Sequence, residues 1–427
     1  MLKKLSAIII AALLAASLTA CNGSQSSGTQ TTTTASSSTA GTAATDSTAS
    51  QSTGTTAENT STDTFTKRDL QQTADTTDAT SYTLSDGKNI SITKEGVYII
   101  SGTAKNTQII VDAADDAKVQ IVLKGAAVTN ESAPAIYVKN ADKVFVTTQK
   151  GTTNTLSVTG TFKADGETNT DAVILSKDDL VLNGEGTLKI SSTDNGITGK
   201  DDIKITGGTI DITCTSDAVE ANEFIAIADG NITINSQKDG LHAENSDDNS
   251  TGSIYITGGT FNITASSDGI QATTTAQIDG GTFNITASEG IEATQIKIND
   301  GTVKISASDD GINSTNKSTS MTVSVEINGG NLTINMGQGD TDGIDSNGDL
   351  YINGGTINIT AQSPFDYDGK AEKNGGTIIV NGTETDEITN QMMGGGGMGG
   401  DRMGGMNGGQ MGGQAPNGNM NGQMRGF

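Results

Sequence analysis

Between Ser253 and Thr315 the chain says nearly the same thing three times, as SIYITGGTFNITASSDGIQATTT, AQIDGGTFNITASEGIEAT and QIKINDGTVKISASDDGINST. Each unit holds alternating apolar and polar residues, a Gly-Thr corner, more alternation and an acidic-Gly-Ile corner. Gly269, Gly290 and Gly311 recur 21 residues apart, and Gly259, Gly281 and Gly301 mark the matching upstream corner. A unit this short has no interior of its own. It buries an apolar face only by stacking on its neighbours, which makes the chain a solenoid.

Segments such as Ile254-Tyr-Ile-Thr, Phe261-Asn-Ile-Thr and Ile296-Lys-Ile-Asn alternate with period two and are rich in β-branched residues, which argues strands rather than helices. Three such strands per turn predict an all-β fold, a three-sheet parallel β-helix whose rungs lie roughly 4.8 Å apart. One inward ladder is legible: Ile210, Phe261, Phe283, Val303, Leu332 and Ile357 each follow a Gly-Gly-Thr-like corner. Only 33% of the chain is hydrophobic and 3% aromatic, with 55 Gly, as suits a narrow solenoid that turns at every corner.

The two ends do not share this pattern. Lys3 and Lys4 precede an apolar run, and Leu18-Thr19-Ala20-Cys21 is a lipobox, so residues 1–21 are expected to be a lipoprotein signal with Cys21 lipidated. Residues 22–66 are Ser, Thr, Ala, Gly and Gln, a disordered tether. Residues 391–427 form a Gly/Met-rich tail, with eight of the 11 Met between Met392 and Met424. Residues 67–390 are the expected β-helix domain. The predicted location is extracytoplasmic: a monomer on the cell surface, held to the membrane through its lipid alone. A net charge of −25 argues against nucleic acid and favours cations or surfaces reached through them. Cys214 has no disulfide partner and is expected in the core.

From Asp171 one corner becomes regular. Asp171-Ala-Val, Asn195-Gly-Ile, Asp217-Ala-Val, Asp239-Gly-Leu, Asp268-Gly-Ile, Glu289-Gly-Ile, Asp310-Gly-Ile and Asp342-Gly-Ile are read as one position in successive rungs, and seven of the eight are acids. The two longest gaps predict inserted loops on one face. Asp and Gly are common at corners because Gly supplies positive φ, yet stacked carboxylates roughly 5 Å apart repel. A cation between them removes the conflict, and the spacing suits calcium, which takes six to eight oxygens at ~2.3–2.6 Å.

Three residues further on, Glu220, His242, Gln271, Glu292, Asn313 and Asp345 add donors. The densest set is Asp309, Asp310 and Asn313 with Glu289, Asp342 and Asp345; a second is Asp217, Glu220, Asp239 and Glu244. The predicted calcium ligands are therefore Asp217, Glu220, Asp239, Asp268, Glu289, Asp309, Asp310, Asn313, Asp342 and Asp345. His242, the single His, excludes a His-rich zinc site, and is expected at a solvent-facing corner.

The lipobox, the Ser/Thr tether, the Ser-Asp-Gly-Ile rungs and the Gly/Met tail together resemble the bacterial carbohydrate-binding domain-containing lipoproteins. That resemblance implies a right-handed parallel β-helix with bound calcium, related to the calcium-dependent pectate lyases of polysaccharide lyase family nine. Asp309-Asp310-Gly-Ile-Asn313 is similar to the lyases' Asp-Asp-Gly-Ile-Asp calcium motif, with Asn313 in place of the last Asp. The lyases also use a Lys to remove the proton alpha to the uronate carboxylate. The corresponding region, around Asn347 to Tyr351, has no Lys or Arg.

The expected function is binding of polysaccharide, acidic like pectin or cellulosic, with calcium bridging the acidic ladder and the sugar. Two alternatives stand beside it: a calcium-dependent pectate lyase, and a structural adhesin that calcium only stiffens.

Overall fold

The computed structural model describes residues 64–339 and 341–390. Cys21, the signal segment, the tether up to residue 63 and the Gly/Met tail lie outside the described residues. Among the described residues every regular element is a strand.

Twelve strands, from Ile90–Ile92 to Ser363–Tyr367, stack in parallel and in chain order as one sheet, the first sheet below. A typical rung runs through Asp268–Ala272, Thr275–Ile278 and Thr282–Ala287, and the next first-sheet strand, Glu289–Ala293, lands beside Asp268–Ala272. The other two stacks are continuous rather than separate. Lys118–Asn130 pairs through Lys118–Leu123 with Lys143–Thr148 and through Ala127–Asn130 with Thr155–Val158, so one long strand bends round the corner and joins them. At the far end Thr383–Thr385 folds back antiparallel on Thr377–Val380, covering a strand edge that would otherwise pair with another chain.

The register fixes the core. Ile210, Ile232, Phe261, Phe283, Val303, Leu332, Ile357 and Ile378 stand in one inward ladder, each almost fully buried. Full burial of such a side chain contributes about 1.5–3 kcal/mol. Phe261 and Phe283 stack with ring centroids 4.4 Å apart and planes 1° from parallel. Ile232 also belongs to the expected ladder; its corner reads Asp229-Gly230-Asn231, which hides the motif. Cys214 is buried as expected, and desolvation pushes its thiol up to about 12.

The two kinds of corner use glycine differently. Gly259, Gly281 and Gly301 adopt φ of 104°, 106° and 114°, a region closed to most side chains. The acidic-Gly corners were expected to do the same, and they do not. A Cβ on Gly240 would instead stand 2.5 Å from the Gly269 carbonyl oxygen and 2.7 Å from Ile263 Cγ2. Close stacking of rungs, not backbone handedness, demands glycine there.

The register also corrects the ladder at its start. Asn195 pairs with Ala172, and Ile197 with Ile174, so Asp171 sits one residue out of step. The long gaps place residues 244–252 and 315–323 at the same corner, between the first sheet and the next strand of the rung, as expected; the second gap also lengthens the loop before Asp342. Ahead of the first rungs, a strap begins within the residues assigned to the tether. Lys204 Nζ donates to the Thr64 carbonyl at 2.9 Å, the Arg68 guanidinium lies 4.4 Å from the Phe145 ring centroid, and Gln72 Nε2 donates to the Thr206 carbonyl at 2.8 Å.

Candidate functional site

On the outer face of the first sheet one row runs through Thr198, Glu220, His242, Gln271, Glu292, Asn313, Asp345 and Asp366 in unbroken register. The corner acids run beside it. Part of their purpose is structural: Asn195 Oδ1 accepts the Asp217 amide, Asp217 Oδ1 that of Asp239, and Asp239 Oδ1 that of Asp268, each at 2.9 Å. Asp310 Oδ1 accepts the Asp342 amide at 3.1 Å. One oxygen of each thus staples the next rung; the second oxygen of each Asp is left for another partner, while Asn195 Nδ2 donates to Glu220.

Asp217, Asp239 and His242 converge, with ligand atoms within 4.8 Å of one another. His242 was expected to face solvent. Its side chain is 13% exposed, with Nδ1 3.4 Å from both Asp217 Oδ2 and Asp239 Oδ2 and Nε2 3.0 Å from Glu244 Oε2. A period-two reading locates the row but not the acids that close over it. Burial works against the imidazolium, but Asp217, Asp239 and Glu244 outweigh it and raise His242 to about 9. Burial likewise works against the Asp217 carboxylate, and the adjacent His242 imidazolium, with hydrogen bonds from the Asp239 amide and Lys238, brings it down to about 2. Lys238 Nζ lies 3.1 Å from Asp217. The charged imidazole and this lysine already neutralise the pair of acids. Glu220, one rung back, has Lys200 4.0 Å away and is raised by burial.

Asp268, Glu289 and Glu292 form a second convergent group with oxygens within 4.8 Å. Burial first, and then the neighbouring Asp239, Glu289 and Glu292 carboxylates, push Asp268 up to about 8. Burial and Glu292 push Glu289 up to about 7, partly relieved by Asn313 Nδ2, which donates to Glu289 Oε2 at 3.0 Å. The other amide atom, Asn313 Oδ1, is buried with no hydrogen-bond partner. From the inserted loop Lys317 Nζ reaches Glu292 at 2.7 Å. Gln271, with its amide turned so that nitrogen faces Asp239 Oδ2 at 3.0 Å and oxygen faces Lys317 Nζ at 2.9 Å, links the two groups. Three carboxylates and an orphaned amide oxygen are a hard, all-oxygen donor set, which fits calcium better than the histidine-bearing group does.

The motif that is densest in the sequence gathers less tightly. Asp309 is exposed. Asp310 is raised to about 7 by burial, with Asp345, Glu289 and Asp309 adding to it, and Asp345 to about 6 by burial and then Asp366 and Asp342. Among the described residues Asp309, Asp310, Asp342 and Asp345 do not bring three ligand atoms within 4.8 Å. A third group that does, Asp201, Asp202 and Glu223, escaped the sequence reading. Its signal was present, since Glu223 stands one 22-residue rung after Asp201, but it lies outside the Gly-Ile corner. Burial, followed by Asp179, raises both Asp201 and Asp202 to about 6.

Beside the corner acids runs an open groove of about 600 Å³, lined by Ser266, Ser288, Ser308, Thr286, Ser306 and Asn335 among others. The lysines that reach the ladder, Lys200, Lys238 and Lys317, are all ion-paired. None of the three is a free base.

The model of the family described as carbohydrate-binding domain-containing protein matches residues 86–340 and, again, 289–412. The chain belongs to this family. A member from Acetivibrio thermocellus, a carbohydrate-binding domain-containing protein, is 35% identical over 124 residues, which span 28% of this chain and 43% of the relative. The match thus spans less than half the length of that curated relative. Among solved structures, the polysaccharide lyase-like protein from C. thermocellum, in a gadolinium derivative, aligns over 53% of this chain and 93% of its own, with 28% identity and a TM-score of 0.44.

Proposed function

We propose that the protein binds an acidic polysaccharide along the outer face of the first sheet, with calcium held by Asp268, Glu289 and Glu292 and completed by Asn313. The observation that carries this reading is the crowding of those three carboxylates, which leaves Lys317 as their one close cation among the described residues, with Asp268 pushed up to about 8 by burial and by the Asp239, Glu289 and Glu292 carboxylates. Calcium supplies positive charge there and keeps coordination positions for a second anion, the carboxylate of a uronate unit. The hydroxyl-lined groove beside the ladder offers donors and acceptors to the sugar hydroxyls. Membership of a carbohydrate-binding family supports the ligand class. The lipobox at Cys21 and the Ser/Thr tether support display at the cell surface on a lipid anchor.

Retention on immobilised polygalacturonate and on cellulose, with calcium and then with chelator, tests this. Retention on polygalacturonate that chelator abolishes or strongly weakens is expected, with Glu289→Gln weakening it in calcium. Equal retention with and without chelator would remove calcium from the reading, and no retention on either polymer would remove the glycan.

A further inference from the structure

We propose that the same face carries a second, metal-independent subsite, a pocket around Tyr137 that takes the carboxylate-bearing unit of an acidic glycan; this rests on the polysaccharide reading above. Tyr137 belongs to the strand Ile136–Asn140, and its register continues through Leu175 and Thr198 to Glu220. It therefore stands in the acidic row, three rungs before Glu220, or roughly 14 Å. Leu175 and Thr198 between them are fully buried, so the two ends of the row open separately to solvent.

The chemistry of the row changes at this end. The loop after Val158 folds back over the first sheet: the Lys163 amide donates to the Ser132 carbonyl at 2.9 Å, and Thr170 Oγ1 donates to the Lys163 carbonyl at 2.6 Å. Between loop and sheet lies a pocket of about 290 Å³ lined by Gln108, Tyr137, Lys139, Lys163, Asp165 and Thr170 among others, near the lower end of ligand clefts, roughly 300 Å³. Tyr137 is 2% exposed, yet its hydroxyl is buried without a hydrogen-bond partner. Buried hydroxyls left unpaired are rare, because the fold gains nothing from the oxygen that a phenylalanine would not give. Lys139 Nζ sits 4.9 Å from the Tyr137 ring centroid and bonds Asp165 at 2.6 Å. That bond holds the exposed Asp165 below the usual carboxylate range; the Tyr137 hydroxyl adds a smaller pull on Asp165 from beside it, without closing a hydrogen bond of ordinary geometry. Lys163 is exposed at the rim.

Two lysines and a phenol donor against one aspartate make an anion-accepting lining in a chain of net charge −25. An ammonium group here does for a sugar carboxylate what calcium does further along the row, and the phenol hydroxyl gains the partner it lacks.

Titration of the full-length protein with trigalacturonate and with cellotriose, in calcium and in EDTA, tests the subsite. In EDTA the protein should keep weak binding of trigalacturonate but not of cellotriose. Tyr137→Phe should weaken it about five- to tenfold at unchanged melting temperature, and Lys163→Glu, at an exposed position, about tenfold or more. Binding that vanishes in EDTA, or that neither variant alters, would overturn the subsite while leaving the calcium site standing. Absence of binding in calcium as well would overturn both.

Discussion

Asp217 Oδ1 accepts the backbone N–H of Asp239, one rung further on, at 2.9 Å. Asp239 repeats the arrangement towards Asp268 at 2.9 Å, so the acid row is first a hydrogen-bonded spine. Asp239→Ala removes a buried acceptor and should cost about 1–3 kcal/mol. Asp239→Asn keeps the acceptor and should cost clearly less. Urea unfolding separates the two; equal losses would mean that the spine bond contributes nothing.

Stability without metal should fall as pH rises. Asp268, Glu289 and Asp310 have folded values of about 8, 7 and 7, above their ordinary carboxylate values, so between about 4 and 8 the folded state holds more protons than the unfolded one. In EDTA the melting temperature should therefore be higher at pH 5 than at pH 8. Calcium binds the deprotonated acids, so its stabilisation should grow over the same range. Asp268→Asn should flatten the EDTA profile.

His242 works in the same direction, at the alkaline end. Its folded value, raised to about 9, means that the stability it contributes is complete below about 6.5 and lost as pH passes 9. With one His in the chain, a single imidazole resonance in an NMR titration reports it. The midpoint should lie near 9. His242→Gln leaves Asp217 and Asp239 without their shared cation and should cost about 3 kcal/mol, the scale of breaking a buried charge pair.

Lys317 competes with a metal for Glu292, which it meets at 2.7 Å. Lys317→Met should raise calcium affinity several-fold in calorimetric titration, and Glu292→Gln should lower it. A lysine variant with weaker calcium binding would place Lys317 as a support of the site rather than a rival.

Gly196→Ala, at the Asn-Gly corner of this row, tests why the corners that carry glycine need it. A Cβ there would lie 2.6 Å from the Ala218 carbonyl oxygen and 2.7 Å from Ile212 Cγ2, with an ordinary backbone φ. Overpacking of this kind costs about 1–3 kcal/mol, read as a lower urea midpoint.

Much of the fold was legible because a solenoid is close to one-dimensional: the 21-residue period gives the rung, and period-two alternation gives its strands. The inward ladder from Ile210 to Ile357, the buried Cys214 and the corner that carries the inserted loops all follow from local pattern. The outward position of Glu220, Gln271, Glu292, Asn313 and Asp345 was legible in the same way, since register stacks equivalent residues.

What the sequence determined by itself was therefore the rung, its stacking and the identity of the acidic row. Tertiary structure alone decided which acids meet. Asp268, Glu289 and Glu292 converge while Asp309, in the denser motif, turns to solvent, because side-chain direction at a corner depends on how closely each rung settles on the next. His242 became a buried counter-charge and Lys317 entered the row from an inserted loop by the same cause. Charge balance in a buried site depends on distances across rungs, and no period along the chain encodes those distances.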